Sequence, residues 1–355
     1  MGCLSQRYRS ELPDEIPEVD AWFGKFEFDA VVEYVKSIAA NNNPTRKDSR
    51  RVTTGPSHAY IKIAEGCNRF CAFCAIPLIT GRFKSRPIDD IVAEVEDLTR
   101  QGFTEFNVIA QDLSSYGTDI YGRHRLADLV EAISRVDKVK WIRLHYAYPA
   151  DFPYDILPVI KNNPKVCKYL DIALQHIADP VLDNMRRHFS SEQTKELIER
   201  IRREVPGIHL RTTLMVGFPG EGETEFQQLC DFVKEARFER MGAFAYSEED
   251  DTYAAKKLND DIPHRVKQAR LDKIMGLQEE ISMDIQSGKV GQTFTVVIDR
   301  EDDDYFVGRT EFDSPEVDPE VLIAKPADGR EIMPGTYHQV RVTSALPFEL
   351  IGEFQ

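Results

Sequence analysis

Between residues 58 and 250 the chain alternates short β-branched runs with longer amphipathic stretches, and this alternation restricts the fold more than any other feature. Period-two and apolar runs predict strands over 60–64, 106–110, 141–146, 169–174, 208–216 and 241–246. Between them, helical spacing predicts helices over 88–101, 125–136, 155–161, from 180, over 191–204 and over 224–236. A strand followed by a helix, repeated six times, implies a parallel sheet, because parallel neighbours need a long crossover between them. The repetition fits a doubly wound sheet and a barrel equally. In either, ligands and chemistry sit at the carboxyl ends of the strands. The polar clusters fall there: three cysteines after the first strand, 111–117 after the second, His145 and Tyr146 at the third. Gln175 and His176 end the fourth, 216–221 follow the fifth and 246–250 the sixth. Each cluster taken alone reads as a turn, a cap or a satisfied core histidine. Six on one rim indicate one active site.

The first cluster is the most specific. Cys67, Cys71 and Cys74 lie four and then three residues apart within 65–87. On a tight loop three sulfurs can converge on one metal centre. A four-iron cubane normally takes four thiolates, so three leave one iron open to a substrate or cofactor. A zinc knuckle completed by a distant histidine, with His58 as a poorly spaced fourth ligand, and plain buried thiols are the other readings of the spacing. Cys167 and Cys230 stand alone in apolar surroundings and read as ordinary buried thiols.

The Cys-x-x-x-Cys-x-x-Cys run, with Phe73 directly before its last cysteine, resembles the signature of radical S-adenosylmethionine (SAM) enzymes. The stretch Ile-Thr-Gly-Arg-Phe-Lys-Ser-Arg-Pro at 79–87 resembles the methylthiotransferase branch of that family. The resemblance implies an α/β fold: an open, partial (β/α)6 barrel followed by a small all-β TRAM domain. It implies a 4Fe-4S cluster on Cys67, Cys71 and Cys74 whose open iron is chelated by SAM, and a 5′-deoxyadenosyl radical as the reactive species. By the same resemblance Gln111 and Asp112 match the grip on the methionine amino group, and Phe73 faces adenine. Gln175 and Arg211 match polar positions near the ribose and carboxylate. Val216 and Gly217 match the strand end where adenine lies flat, and Tyr246 and Glu249 the substrate-facing mouth. Arg82 and Arg86 are clamp residues or solvated surface charges. Residues 2–8 resemble the segment carrying the last of three cysteines of an auxiliary cluster; the first two are absent. The expectation is a truncated chain with one 4Fe-4S cluster, a second belonging to the full-length protein with Cys3 left from its ligand set; the alternatives are that Cys3 is a plain thiol and that the chain is a SAM-binding and target-binding form without sulfur transfer. The implied division is 1–52 as a remnant of an N-terminal domain plus linker, 53–284 as the radical SAM core and 285–355 as the TRAM domain.

Within 1–52 a helix is expected over 28–40, ended by 41–44 and followed by a basic linker. A long helix is expected over 263–287, with Gly288 as its C′ stop. Five short alternating runs follow, the pattern of a small β-barrel or sandwich.

Charge narrows the partner. The chain carries a net charge of −15, and residues 289–355 hold six Lys and Arg against fourteen Asp and Glu. Such a surface repels phosphate backbones and attracts a basic protein. The family has a branch that modifies adenosine in transfer RNA and a branch that modifies the β-carbon of an aspartate in small-subunit ribosomal protein twelve. After Tyr246-Ser247 the RNA branch typically carries Arg; here Glu248-Glu249-Asp250 follow, with Asp251 where the family usually has Gly. The expected partners are therefore that basic ribosomal protein and an electron donor, not nucleic acid. No apolar run approaches the ~18 residues of a membrane span. Six cysteines, three of them clustered, point to metal use in a reducing compartment, the cytoplasm.

Overall fold

The computed structural model describes residues 1–38, 50, 52–326 and 329–355. The N-terminal helix runs Phe28–Ile38; its expected end at 41–44 and the basic linker lie outside the described residues.

Six strands form one parallel sheet: β1 (His58–Lys62), β2 (Glu105–Ile109), β3 (Trp141–Ala147), β4 (Val166–Ile172), β5 (His209–Val216) and β6 (Arg240–Ala245). Their spatial order is the chain order throughout. That order decides between the two architectures. A doubly wound sheet reverses its strand order at a switch point. Here nothing reverses, so right-handed crossovers place every helix on one face and the sheet curls into a partial barrel. The strands are largely buried on both faces, since helices cover one side and the barrel interior the other; exposure falls at Tyr146 in β3 and Phe244 in the edge strand β6. Ile61, Phe106, Val108, Ile142, Leu144, Leu170 and Leu214 join Leu98, Leu129, Ile133, Leu197, Ile201 and Phe226 of the helices in one core. Local signals agree with these elements. The helix Ser191–Glu204 starts at a capping box in which Ser190 and Gln193 satisfy each other's backbone N–H groups.

The helix His264–Ser287 packs on β6 and leads out of the barrel. Gly288 does not act as the left-handed stop expected of it: its φ of −64° stays in the right-handed helical region. The reversal comes three residues later, at Gly291, with φ +86°. Five further strands close a second barrel: β7 (Thr293–Glu301), β8 (Tyr305–Thr310), β9 (Glu320–Ala324), β10 (Tyr337–Leu346) and β11 (Glu349–Phe354). The order is β8-β9-β11-β10-β7, closed, around Val296, Ile298, Phe306, Ile323, Val340 and Leu350.

This small barrel is seated against the amino ends of the large one. Glu105, the first residue of β2, is fully buried and receives Nη2 of Arg309 at 2.9 Å and Nη2 of Arg143 at 3.3 Å. Arg309 also donates to Asp299 at 2.6 Å, Arg240 at the start of β6 pairs with Asp313, and the Tyr169 hydroxyl donates to Asp318 at 2.8 Å. Burial alone would raise the Glu105 pKa; the guanidiniums of Arg309 and Arg143 overcome it and hold the carboxyl down at about 2. Occupied at its amino end, the large barrel keeps its carboxyl rim for chemistry.

Candidate active site

The cysteine loop begins where β1 leaves the barrel. A short antiparallel pairing, Ala64 with Ser85 and Glu65 with Lys84, pinches its base. Gly66 turns the chain at φ +76°; a Cβ there would lie 2.2 Å from the Arg82 carbonyl oxygen, so no other residue fits. The loop is then tied down on both sides: Cys67 N–H donates to Gly81 O at 3.3 Å, Ala72 N–H to Met185 O at 2.9 Å, and Ala254 N–H to Ala72 O at 2.7 Å.

Cys67, Cys71, Cys74 and Phe73 line one wall of a cavity of about 390 Å³ at the carboxyl rim. Gln111 after β2, Tyr146 and Tyr148 at the end of β3, and Gln175 and Arg187 after β4 line the rest. Cys67 is buried, and Cys71 and Cys74 are half-buried. Burial pushes the Cys67 thiol up to about 11 and raises that of Cys74 as well. Without a metal these groups are neutral thiols at physiological pH; a bound cation would make them thiolates. Among the described residues no three His, Cys, Asp or Glu side chains are gathered on a point suited to a single metal ion. Three cysteine sulfurs on one cavity supply the three thiolates that a cubane with one open iron takes.

Three polar atoms on residues of this cavity lack partners. The buried Oε1 atoms of Gln111 and Gln175 accept no hydrogen bond, and the buried Nε of Arg187 donates none. Buried polar groups are normally satisfied, so three such atoms on residues of one cavity mark where a polar ligand sits. Gln175 and Tyr146 are held there in left-handed backbone, φ +71° and +66°. Such strain collects at ligand sites. The donor set thus fits the cofactors expected of it: three sulfurs for iron, two amide oxygens for the hydrogen-bond donors of SAM, and a guanidinium for its carboxylate.

Arg187 carries no periodic or motif signal, and the sequence reading passed it over. It is buried, donates from Nη1 to Cys71 Sγ at 3.2 Å, and lies 4.3 Å from the Tyr148 ring centroid. Arg69, inside the cysteine motif, was also missed; its guanidinium sits 4.1 Å from the same ring.

Several expected site residues are placed elsewhere. Arg211 is the third residue of β5, near the amino end, where it pairs with Asp318 at 3.3 Å and Asp171 at 3.5 Å; it braces the two barrels and does not reach the cavity. Asp112 is buried behind the rim and accepts from Arg69 Nε at 2.7 Å and the Ser115 hydroxyl at 2.6 Å, so it positions Arg69 and does not line the cavity. Val216 and Gly217 are buried in the end of β5. Val216 O accepts from Tyr246 N–H at 2.8 Å, and Gly217 N–H donates to Glu221 at 2.9 Å. That carboxylate also receives Arg270 at 2.7 Å and His176 Nε2 at 3.1 Å, so His176 is a satisfied core histidine. Tyr246 does not face the open mouth: it is only 4 % exposed and packs edge-on against Phe218, which packs edge-on against Phe73. Glu249 is exposed and pairs with Arg7 of the short helix Cys3–Arg7. That helix packs against Ile76–Thr80 just beyond the cysteines, with Cys3 exposed. Arg86 is a brace, donating to Lys62 O and pairing with Glu94, both at 2.7 Å.

A family model for the radical SAM superfamily matches residues 61–233, and one for the TRAM domain matches 290–354. With the open parallel barrel, the cysteine-lined cavity and the closed C-terminal barrel, these define a radical SAM enzyme carrying a TRAM domain, a class whose cofactors are a 4Fe-4S cluster and SAM. Ribosomal protein uS12 methylthiotransferase RimO of Parabacteroides distasonis is 54% identical over 353 residues, covering 99% of this chain and 80% of the relative. The protein of the same name from Bacteroides fragilis is 52% identical, covering 99% and 81%. Among solved structures, coproporphyrinogen III oxidase (HemN) from Escherichia coli matches at TM-score 0.48 and 17% identity over 65% of this chain and 54% of that one. The chain belongs to the RimO family of radical SAM methylthiotransferases.

Proposed function

We propose that this protein attaches a methylthio group to the β-carbon of an aspartate in ribosomal protein uS12, using SAM and a 4Fe-4S cluster in the cytoplasm. The observation that carries the reading is the single cavity lined by three cysteines together with Gln111, Gln175 and Arg187, each of which keeps one buried polar atom without a partner. In this reading Cys67, Cys71 and Cys74 hold the cluster, which with SAM supplies a 5′-deoxyadenosyl radical able to take an unactivated hydrogen. The remaining tasks belong to the protein. Arg187 grips the SAM carboxylate by charge-assisted hydrogen bonds, while its contact with Cys71 Sγ keeps carboxylate and metal side adjacent. Gln111 and Gln175 accept from the ammonium and the ribose, and Phe73, held edge-on by Phe218, walls the adenine. Residues 53–284 would form the catalytic core and 285–355 the TRAM domain, with 1–52 preceding both. Cys3, exposed beside the cysteine loop, would be one ligand of an auxiliary cluster, and one thiolate alone does not hold a cubane, so one cluster per chain is expected.

Choice of a protein target is supported by charge. The acidic run 301–304, at the end of β7, is exposed on a C-terminal barrel with an excess of carboxylates, suited to a basic protein and unsuited to RNA. The test is incubation of the iron-loaded protein with SAM, a sulfide source and reductant, offered uS12 and transfer RNA together. Mass spectrometry is expected to find the methylthio mass increment on a uS12 aspartate. The increment on adenosine, with uS12 unchanged, would overturn the assignment.

A further inference from the structure

On the outer side of the cysteine loop lies a second, open cavity of about 620 Å³, lined by Asn68, Arg69, Phe70, Arg82, Ala150, Asp151, Arg186 and His188. We infer that this cavity is the docking surface for an acidic, low-potential one-electron carrier protein; the inference rests on the radical SAM reading above. Three observations converge.

The first is charge. In a chain of net charge −15 the cavity gathers three arginines; Arg69 is engaged by Asp112 at 2.7 Å and Asp151 at 3.1 Å, which leaves the charges of Arg82 and Arg186 facing solvent. Arg82 and Arg186 are exposed and, among the described residues, form no salt bridge. Each is held over a ring, Arg82 over Phe70 at 4.6 Å and Arg186 over Tyr253 at 4.6 Å. An acidic carrier is repelled by most of this molecule and is oriented toward the patch that attracts it.

The second is position. Phe70 is 38 % exposed at the cavity and is covalently followed by Cys71; Arg69 lines both this cavity and the cysteine cavity. Arg69 and the Phe70–Cys71 backbone thus belong to the wall between the two cavities.

The third is strain. Phe70, Asp151, Arg186 and His188 all hold left-handed backbone, with φ between +50° and +57°. Ten non-glycine residues do so among those described, and four of them line this one cavity. Bulky residues adopt that conformation at a cost and collect where shape serves function.

In the transfer, a flavin hydroquinone on the carrier would give up one electron and become the semiquinone, and the acceptor would be the cluster that Cys67, Cys71 and Cys74 would hold. The experiment uses the iron-loaded chain and reduced flavodoxin as the probe. Affinity is measured by calorimetry across ionic strength, and SAM cleavage is driven in parallel by flavodoxin or by dithionite. The double variant Arg82→Glu/Arg186→Glu is expected to weaken flavodoxin binding at least about tenfold and to flatten its salt dependence. Iron content and dithionite-driven cleavage should stay unchanged, and Arg82→Lys/Arg186→Lys should retain binding. Unchanged flavodoxin affinity in the Glu variant overturns the inference, as does occupation of the cavity by inorganic phosphate with no carrier bound. A failure of dithionite to cleave SAM would instead sink the radical SAM reading, and the binding measurement would still decide the docking surface.

Discussion

Arg187 joins the two halves of the active site, because one side chain touches a cysteine sulfur and lines the space opposite it. Replacing it with alanine removes a charge-assisted contact of about 1.5–3 kcal/mol, so SAM affinity should fall roughly ten- to a hundredfold. Iron should remain near four atoms per chain, about the content of one cubane. Equilibrium dialysis with SAM, beside an iron assay, separates the two effects; loss of iron in Arg187→Ala would show the residue to be structural. Cys74→Ala should behave in the opposite way, losing the iron and with it the visible absorbance of the cluster. At this scale the sequence was partly legible. Three cysteines at fixed spacing declare themselves because a short loop brings them together whatever the rest does. Arg187 does not, since its partner is Cys71, 116 positions away. Arg211 misled for a readable reason. With β5 expected over 208–216, position 211 already falls toward the strand's amino end, away from any rim chemistry.

The cysteine loop functions as an element because its backbone is fixed before any metal arrives. Gly66→Ala tests this. The methyl group would collide with the Arg82 carbonyl at 2.2 Å in a left-handed conformation, and strain of about 1–3 kcal/mol should open the pinch between 64–65 and 84–85. The expected result is poor iron loading with little change in melting temperature, since the barrel core lies elsewhere; normal loading would show that the loop is shaped by its cluster instead. The alternation of strand and helix was legible because burial on two faces demands β-branched runs of a definite length. The choice of barrel over doubly wound sheet was not, since strand order is a property of tertiary pairing that no local run records.

At the scale of the whole molecule, the two barrels are joined through buried charge. Arg309 and Glu105 are 204 positions apart, so nothing in the sequence links them. Arg309→Met leaves Glu105 short of its main partner and should cost roughly 3–5 kcal/mol, read as a lowered melting temperature. The Glu105 carboxyl titrates near pH 2 when folded and near 4.5 otherwise. A depressed folded pKa means its contribution is complete above about pH 4.5 and is lost as pH falls toward 2. Acid unfolding of the wild type should therefore include a loss of stability across that interval that is reduced in Glu105→Gln. Equal acid sensitivity in both proteins would show that Glu105 does not carry it.

The seating of the small barrel against the amino ends of the strands sets a ruler. The strands of the large barrel are five to eight residues long, so at about 3.3 Å per residue the acidic module sits on the order of 20 Å from the sulfurs. A target gripped by that module must bridge the gap to present its aspartate at the far rim. A short peptide around the modified position would enter the cavity without that grip. Turnover should thus collapse when uS12 is trimmed to such a peptide.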